Sequence, residues 1–116
     1  MERYSITAVI PFFNEENFIG ATLDSLAAQN IKPAAFILVD NASTDHSTEV
    51  CEEFHRRHPE IPMRIVRETR PGKINALETG LELVETPFTA FCDADTHYPP
   101  HYFELALELL KKRATT

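Results

Sequence analysis

The sequence predicts an α/β fold, with about four parallel strands flanked by helices in three α/β/α layers. Short apolar runs alternate with helical patterns four times along the chain, the signature of a parallel sheet covered by helices. The unusual polar residues directly follow the strand-like runs, where open α/β sheets bind ligands. No repeat or low-complexity linker breaks the alternation within 116 residues, a length suited to one domain.

The first unit pairs a strand over 6–12 with a helix over 15–29, whose Ile19, Leu23, Leu26 and Ala27 fall on one face. Asn14 is the expected N-cap, with Glu15 and Glu16 in the dipole-favoured first turn. A second strand over 35–39 runs through the polar stretch 40–45 into a helix that buries Val50, Cys51 and Phe54. A third strand over 63–67 leads through Pro71 and Gly72 to a helix expected to bury Ile74, Leu77, Leu81 and Val84. The fourth, over 88–92, is almost wholly apolar, as a strand covered on both faces should be. The last helix, over 100–113, carries two apolar stripes: Phe103, Ala106, Leu107 and Leu110 form one, Tyr102, Leu105 and Leu109 the other. It is expected either to be a central core helix or to offer its second face to further chain or to another subunit.

With 18 acidic and 11 basic residues the formal charge is -7, which disfavours nucleic acid as a partner because phosphate binding needs a basic face. The basic run Lys111, Lys112 and Arg113 ends a helix, where cations complement the dipole. Cys51 and Cys92 have no second cysteine at metal-ligand spacing and read as small core residues. That usage suits a reducing, cytoplasmic compartment. No signal-peptide core and no apolar run near the ~20 residues of a membrane span is visible, so no membrane segment is expected in this chain, although a tail beyond Thr116 could carry an anchor.

Four strand ends collect the chemistry: Phe13, Asn14 and Glu15; Asp40, Asn41 and Ser43; Arg70, Gly72 and Lys73; Asp93 and Asp95. In Asp93-Ala94-Asp95, two carboxylates one residue apart repel each other unless a cation sits between them or one is protonated. Mg²⁺ or Mn²⁺ fits two such oxygen ligands, with diphosphate oxygens completing the shell. Taken alone, D-x-D is a weak motif. His97 and His101 flank it but read as surface residues, as do His46, His55 and His58 on their helix. Neither the glycine fingerprint of a dinucleotide site nor a P-loop is present.

The stretch Ala8-Val9-Ile10-Pro11-Phe12-Phe13-Asn14-Glu15-Glu16 resembles the opening of family 2 glycosyltransferases. Val39 to Asp45 is similar to that family's second-strand motif, Arg70-Pro71-Gly72-Lys73 with Ala76-Leu77 to its Gly-Lys segment, and Phe91 to Asp95 to its D-x-D strand. Four motifs in order, over about 6 to 110, make the resemblance specific. It implies a Rossmann-like GT-A fold and a site for a nucleoside diphosphate sugar. By that match Pro11, Phe13 and Glu15 line the nucleoside, Asp40 and Asn41 read the base, and Lys73 lies near the base or diphosphate. Asp93 matches a ribose and metal contact, Asp95 the direct metal ligand, and Ala94 lies between them.

The commonest form of the family ends its second strand in two acids, whereas here the second is Asn41. An amide can both accept and donate, so the base stays open, with UDP favoured. The resemblance also implies inverting transfer with a carboxylate base. No residue of this chain matches that base, which is expected beyond Thr116. Residues 1–116 are therefore expected to form the nucleotide-diphospho-sugar-binding portion of a GT-A domain, stopping before the acceptor-binding portion. A homodimer, or a C-terminal half packed on the last helix, is the expected protein partner. The rival reading is a non-catalytic nucleotide-binding or assembly module. A Mg²⁺-dependent phosphatase is disfavoured, because Pro11-Phe12-Phe13-Asn14 stands where its nucleophilic Asp would be.

Overall fold

The structure is a computed structural model and describes residues 4–114. Its elements alternate as β1 (Ile6–Phe12), α1 (Ile19–Ala27), β2 (Ala35–Asp40), α2 (Ser47–Arg57), β3 (Met63–Arg67), α3 (Lys73–Glu82), β4 (Phe88–Phe91) and α4 (Tyr102–Ala114). All strands are parallel, in the order β3-β2-β1-β4. The chain winds outward from β1 to β3 and then returns to β1's other side, so strand order reverses between β1 and β4. The β1–β4 ladder ends at Val9↔Phe91, while β1–β2 pairing continues to Phe12↔Asp40. Pro11 lies in the stretch of β1 that β4 no longer pairs, where a proline's missing N–H removes no ladder bond. The two strands part there, and the crevice opens.

Each face of the sheet has its own core. On one, Ala8, Ile10, Phe12, Phe36 and Leu38 meet α1, α2 and Phe103 of α4. Ile19, Leu23 and Leu26 of α1 are fully buried, as their spacing predicts, and Phe54 of α2 stacks on Phe36 with ring centroids 6.3 Å apart. On the other face, Val9, Ile37 and Val39 meet Ala76 of α3, with Val66, Leu83 and Val84 packed around them.

Three expectations are corrected. Helix α3 does not bury Ile74 and Leu81, which are 75% and 51% exposed. Its packing face carries the small residues Ala76 and Gly80, and a Cβ on Gly80 would stand 2.5 Å from Cγ1 of Val9. Close backbone approach, not side-chain bulk, sets that interface. Strand β4 is not covered on both faces: it is the sheet's edge, and Phe91 is half exposed because α3 lies over β1 and β2. Helix α1 begins later than expected and Asn14 does not cap it. The cap position is Phe18, without a side-chain hydrogen bond. Helix α4 buries Phe103 and leaves its second stripe, Tyr102, Leu105 and Leu109, at the surface.

Candidate functional site

Asn14 and Ala42, the two non-glycine residues with positive φ (50° and 63°) among the described residues, turn the loops after β1 and β2. Such strain collects at functional sites. The Asn14 Oδ1 accepts from the backbone N–H of Thr44 at 2.8 Å and of Asp45 at 3.2 Å, while its own N–H donates to Ser43 Oγ at 3.0 Å. Glu15 N donates to Ser47 Oγ at 2.7 Å. The two loops are thereby stitched into one rim, and Phe13 is left more than half exposed above it.

Asp40 is buried and its carboxylate is spent within the loop. Oδ1 accepts from Ser43 N at 2.8 Å; Oδ2 accepts from Thr48 Oγ1 at 2.7 Å and Arg67 at 3.2 Å. These bonds hold the loop after β2 against α2 and β3. Asn41 beside it donates through Nδ2 to the carbonyls of Glu68 at 3.0 Å and Arg70 at 2.8 Å. The β3–α3 loop is held further by Glu68, which accepts from the side chain and backbone N–H of Arg70 and from Thr79. Those bonds, the Arg70 side chain's foremost, lower the Glu68 carboxyl to about 2. Arg70 is thus turned towards Glu68 and Glu78 and away from the rim.

The Asp93-Ala94-Asp95 turn is strapped from below. Thr22 Oγ1 donates to Ala94 O at 2.9 Å, and Asp93 N donates to the Tyr98 hydroxyl at 2.8 Å. Tyr98 N in turn donates to Ser25 Oγ at 3.0 Å. Buried Gln29 donates to Pro99 O and accepts from Phe103 N at 3.0 Å, fixing the start of α4. Burial chiefly pushes Tyr98 up to about 12, so it stays a neutral donor and acceptor. Burial also pushes Cys51 and Cys92 up to about 12, and both are free, inert thiols of the core.

These loops enclose a cleft of about 730 Å³ at the switch point, within the roughly 300–1,000 Å³ common for small-molecule sites. It brings together Pro11, Phe13, Glu15, Asn41, Lys73, Asp93, Ala94 and Asp95, eight of the nine residues expected from sequence; Asp40 is the one left out. Phe12, Ala42, Thr69, Pro71 and Gly72 also line it. Of these, Phe12, Ala42, Pro71 and Gly72 lie within the four motifs, and Thr69 directly precedes one. His97 and His101 do not line it. Lys73 Nζ reaches Asp93 Oδ1 at 2.7 Å. The Glu15 carboxyl is raised by partial burial and then by the charges of Asp95 and Asp45. Among the described residues no three His, Cys, Asp or Glu side chains gather to hold a metal ion. A cation here would have two aspartates and would need ligand oxygens for the rest of its shell, as Mg²⁺ and Mn²⁺ accept.

A parallel α/β domain with an acidic, lysine-bearing cleft where strand order reverses has the layout of a nucleotide-binding domain. The chain belongs to glycosyl transferase family 2, whose family model matches residues 7–116. The Glycosyltransferase GlyA of Streptococcus pneumoniae serotype 4 is 33% identical over 101 residues, covering 85% of this chain and 14% of that protein. The mannosyltransferase PcManGT from Pyrobaculum calidifontis, solved with GDP-Man and Mn²⁺, superposes with a TM-score of 0.81 at 29% identity, covering 91% of this chain and 31% of that one. S. aureus TarS residues 1–349, solved with UDP, shares the fold with a TM-score of 0.78 at 23% identity, covering 93% and 32%. The fold is therefore the Rossmann-like GT-A arrangement, and the chain spans only a seventh to a third of these relatives. Among the described residues no helix is long and apolar enough to cross a membrane.

Proposed function

We propose that this chain forms the donor-binding portion of a glycosyltransferase, taking a nucleoside diphosphate sugar together with Mg²⁺ or Mn²⁺. The observation that carries the reading is the convergence of Asp93, Asp95 and Lys73 with the Phe13–Asn41 rim in one cleft at the switch point. The complex of PcManGT with GDP-Man and Mn²⁺ supports it. Pro11 and Phe13 offer apolar surface to the nucleoside, Asn41 faces the base, and Lys73 meets phosphate charge. Asp93 and Asp95 would hold the cation, which when bound would offset the charge developing on the leaving diphosphate. We infer inverting transfer, with the acceptor and its base held by a further portion of an enzyme as long as these relatives. A cytoplasmic setting suits the two free thiols.

Calorimetric titration of UDP and GDP, with and without Mn²⁺, on wild type and Asp95→Asn tests the reading. Binding should require the ion and fall at least about tenfold in the variant, the size of a lost charged contact. Metal-independent binding that is unchanged in Asp95→Asn would overturn it.

A second reading, assembly, rests on the exposed Tyr102, Leu105 and Leu109 stripe. A second copy or further chain packed there would be released by Leu105→Asp with Leu109→Asp, visible as a change in sedimentation. A monomer unaffected by both changes speaks against it.

A further inference from the structure

The turn that carries Asp93 and Asp95 is closed into a circuit of hydrogen bonds with α1. Asp93 N donates to the Tyr98 hydroxyl at 2.8 Å, and Tyr98 N donates to Ser25 Oγ at 3.0 Å. Ser25 Oγ donates in turn to Thr22 O at 2.7 Å, and Thr22 Oγ1 returns to the turn by donating to Ala94 O at 2.9 Å. Thr22, Ser25 and Tyr98 are buried, and so is Ala94, whereas Asp93 and Asp95 on either side of it are exposed. Neither Thr22 nor Tyr98 lines the cleft. The two side chains grip only the backbone that bears the acids.

Resting on the donor-site reading above, we propose that Tyr98 and Thr22 are positioning residues of the cation site, fixing the backbone of the D-x-D turn before the ion arrives. The need for them is electrostatic. Two carboxylates one residue apart repel each other, and a turn free to relax would separate them. An ion with only two protein oxygens would then have to gather them, at a cost in affinity. A turn pinned at Asp93 N and Ala94 O already holds both acids in place, as outer hydrogen bonds do for metal ligands in general. The hydroxyl groups carry the effect. Tyr98→Phe keeps the ring that stands 4.8 Å from the Tyr102 ring but leaves Asp93 N without its acceptor. Thr22→Val keeps the shape but leaves the carbonyl of buried Ala94 without its donor.

The test follows the Mn²⁺ magnetic resonance signal in titrations of the ion, alone and with UDP or GDP, on wild type, Tyr98→Phe, Thr22→Val, Thr22→Ser and Thr7→Val. Tyr98→Phe and Thr22→Val should each weaken ion binding by about tenfold or more, the usual loss for an outer hydrogen bond of a metal site. Thr22→Ser keeps the hydroxyl and should bind close to wild type. Thr7→Val removes a hydroxyl that is equally buried but pairs with Thr86 at 2.7 Å, near the start of β1. It should lower the melting temperature and leave ion binding unchanged, which separates positioning from stability. In wild type without ion or nucleotide, the Asp93 amide should already exchange slowly with solvent. The proposal is overturned if Tyr98→Phe and Thr22→Val bind the ion as wild type does, if Thr7→Val loses as much as they do, or if the Asp93 amide exchanges fast in the ion-free chain. The exchange measurement decides where a variant does not fold. If wild type binds no Mn²⁺ even with UDP or GDP, the cation reading fails and this inference goes with it; failure of the variant or exchange arms alone leaves that reading standing.

Discussion

The ammonium of Lys73 stands 2.7 Å from a carboxylate oxygen of Asp93, pairing the first residue of α3 with the turn after β4. A protonated lysine on one acid of the D-x-D pair is already the kind of charge a divalent ion would supply. Both side chains are more than half exposed, so the pair is worth no more than about 1 kcal/mol and is exchangeable.

Lys73→Met should therefore raise the affinity for Mn²⁺ alone, by about two- to fivefold, while weakening nucleoside diphosphate binding. The melting temperature should hardly move. Titration of Mn²⁺ followed by its magnetic resonance signal reads the first effect. Unchanged or weaker ion binding in Lys73→Met would mean that the lysine does not compete for the acid.

Gly80→Ala offers a contest of two effects. A helix gains up to about 1 kcal/mol from the exchange, but the added Cβ would meet Val9 Cγ1 at 2.5 Å and Val39 Cγ2 at 3.1 Å. Both valines are wholly buried in the two central strands. Overpacking of this kind costs about 1–3 kcal/mol, so the variant should be less stable in urea unfolding, and Val9→Ala added to it should restore part of the loss. A Gly80→Ala chain as stable as wild type would show that α3 rides higher on the sheet.

Reading the sequence worked where one periodicity has one explanation. Ile19, Leu23 and Leu26 recur at helical spacing and are buried together, and the strand-end rule with the four motifs found most of the cleft. It failed where a partner far along the chain decides. Asn14 resembles a cap for the helix that follows, yet its carbonyl is claimed by the backbone of Thr44 and Asp45. The bonds that tie Asp40 to Thr48 and Arg67 had no local signal either. In α3 the larger apolar residues outweigh Ala76 and Gly80 in any pattern, although the small pair makes the contact. Thr22, Tyr98 and Gln29 strap the D-x-D turn without any local signal, because each bond spans about seventy residues or arises in a loop.

Acid should loosen the β3–α3 loop through Glu68. Its carboxyl lies at about 2 in the folded chain against an ordinary value of 4.5, held down first by the Arg70 side chain and then by Thr79. A depressed folded value means that the ionised form stabilises the fold: the contribution is complete above the unfolded value and is lost as pH falls from about 4.5 towards about 2. Glu68→Gln should thus be less stable than wild type at pH 7, and the gap should close across that acid window in urea titrations. A gap of constant size from neutral pH into acid would remove Glu68 as the source.

Asn14 joins two loops by conformation and by hydrogen bonds, and two substitutions separate these. Its φ of 50° is one that Asn tolerates and Ala resists. Asn14→Ala loses both the easy backbone and the bonds to Thr44 and Asp45, and should cost about 1–3 kcal/mol. Asn14→Gly keeps the backbone easy and loses only the bonds, so it should fall between Asn14→Ala and wild type. Because Phe13 and Glu15 flank this residue on the cleft wall, both variants should also weaken nucleoside diphosphate binding in Mn²⁺, each in proportion to its loss of stability. If Asn14→Gly matched wild type in urea unfolding and in calorimetry, the backbone turn alone would hold the rim, and the bonds from Asn14 to the β2–α2 loop would be incidental.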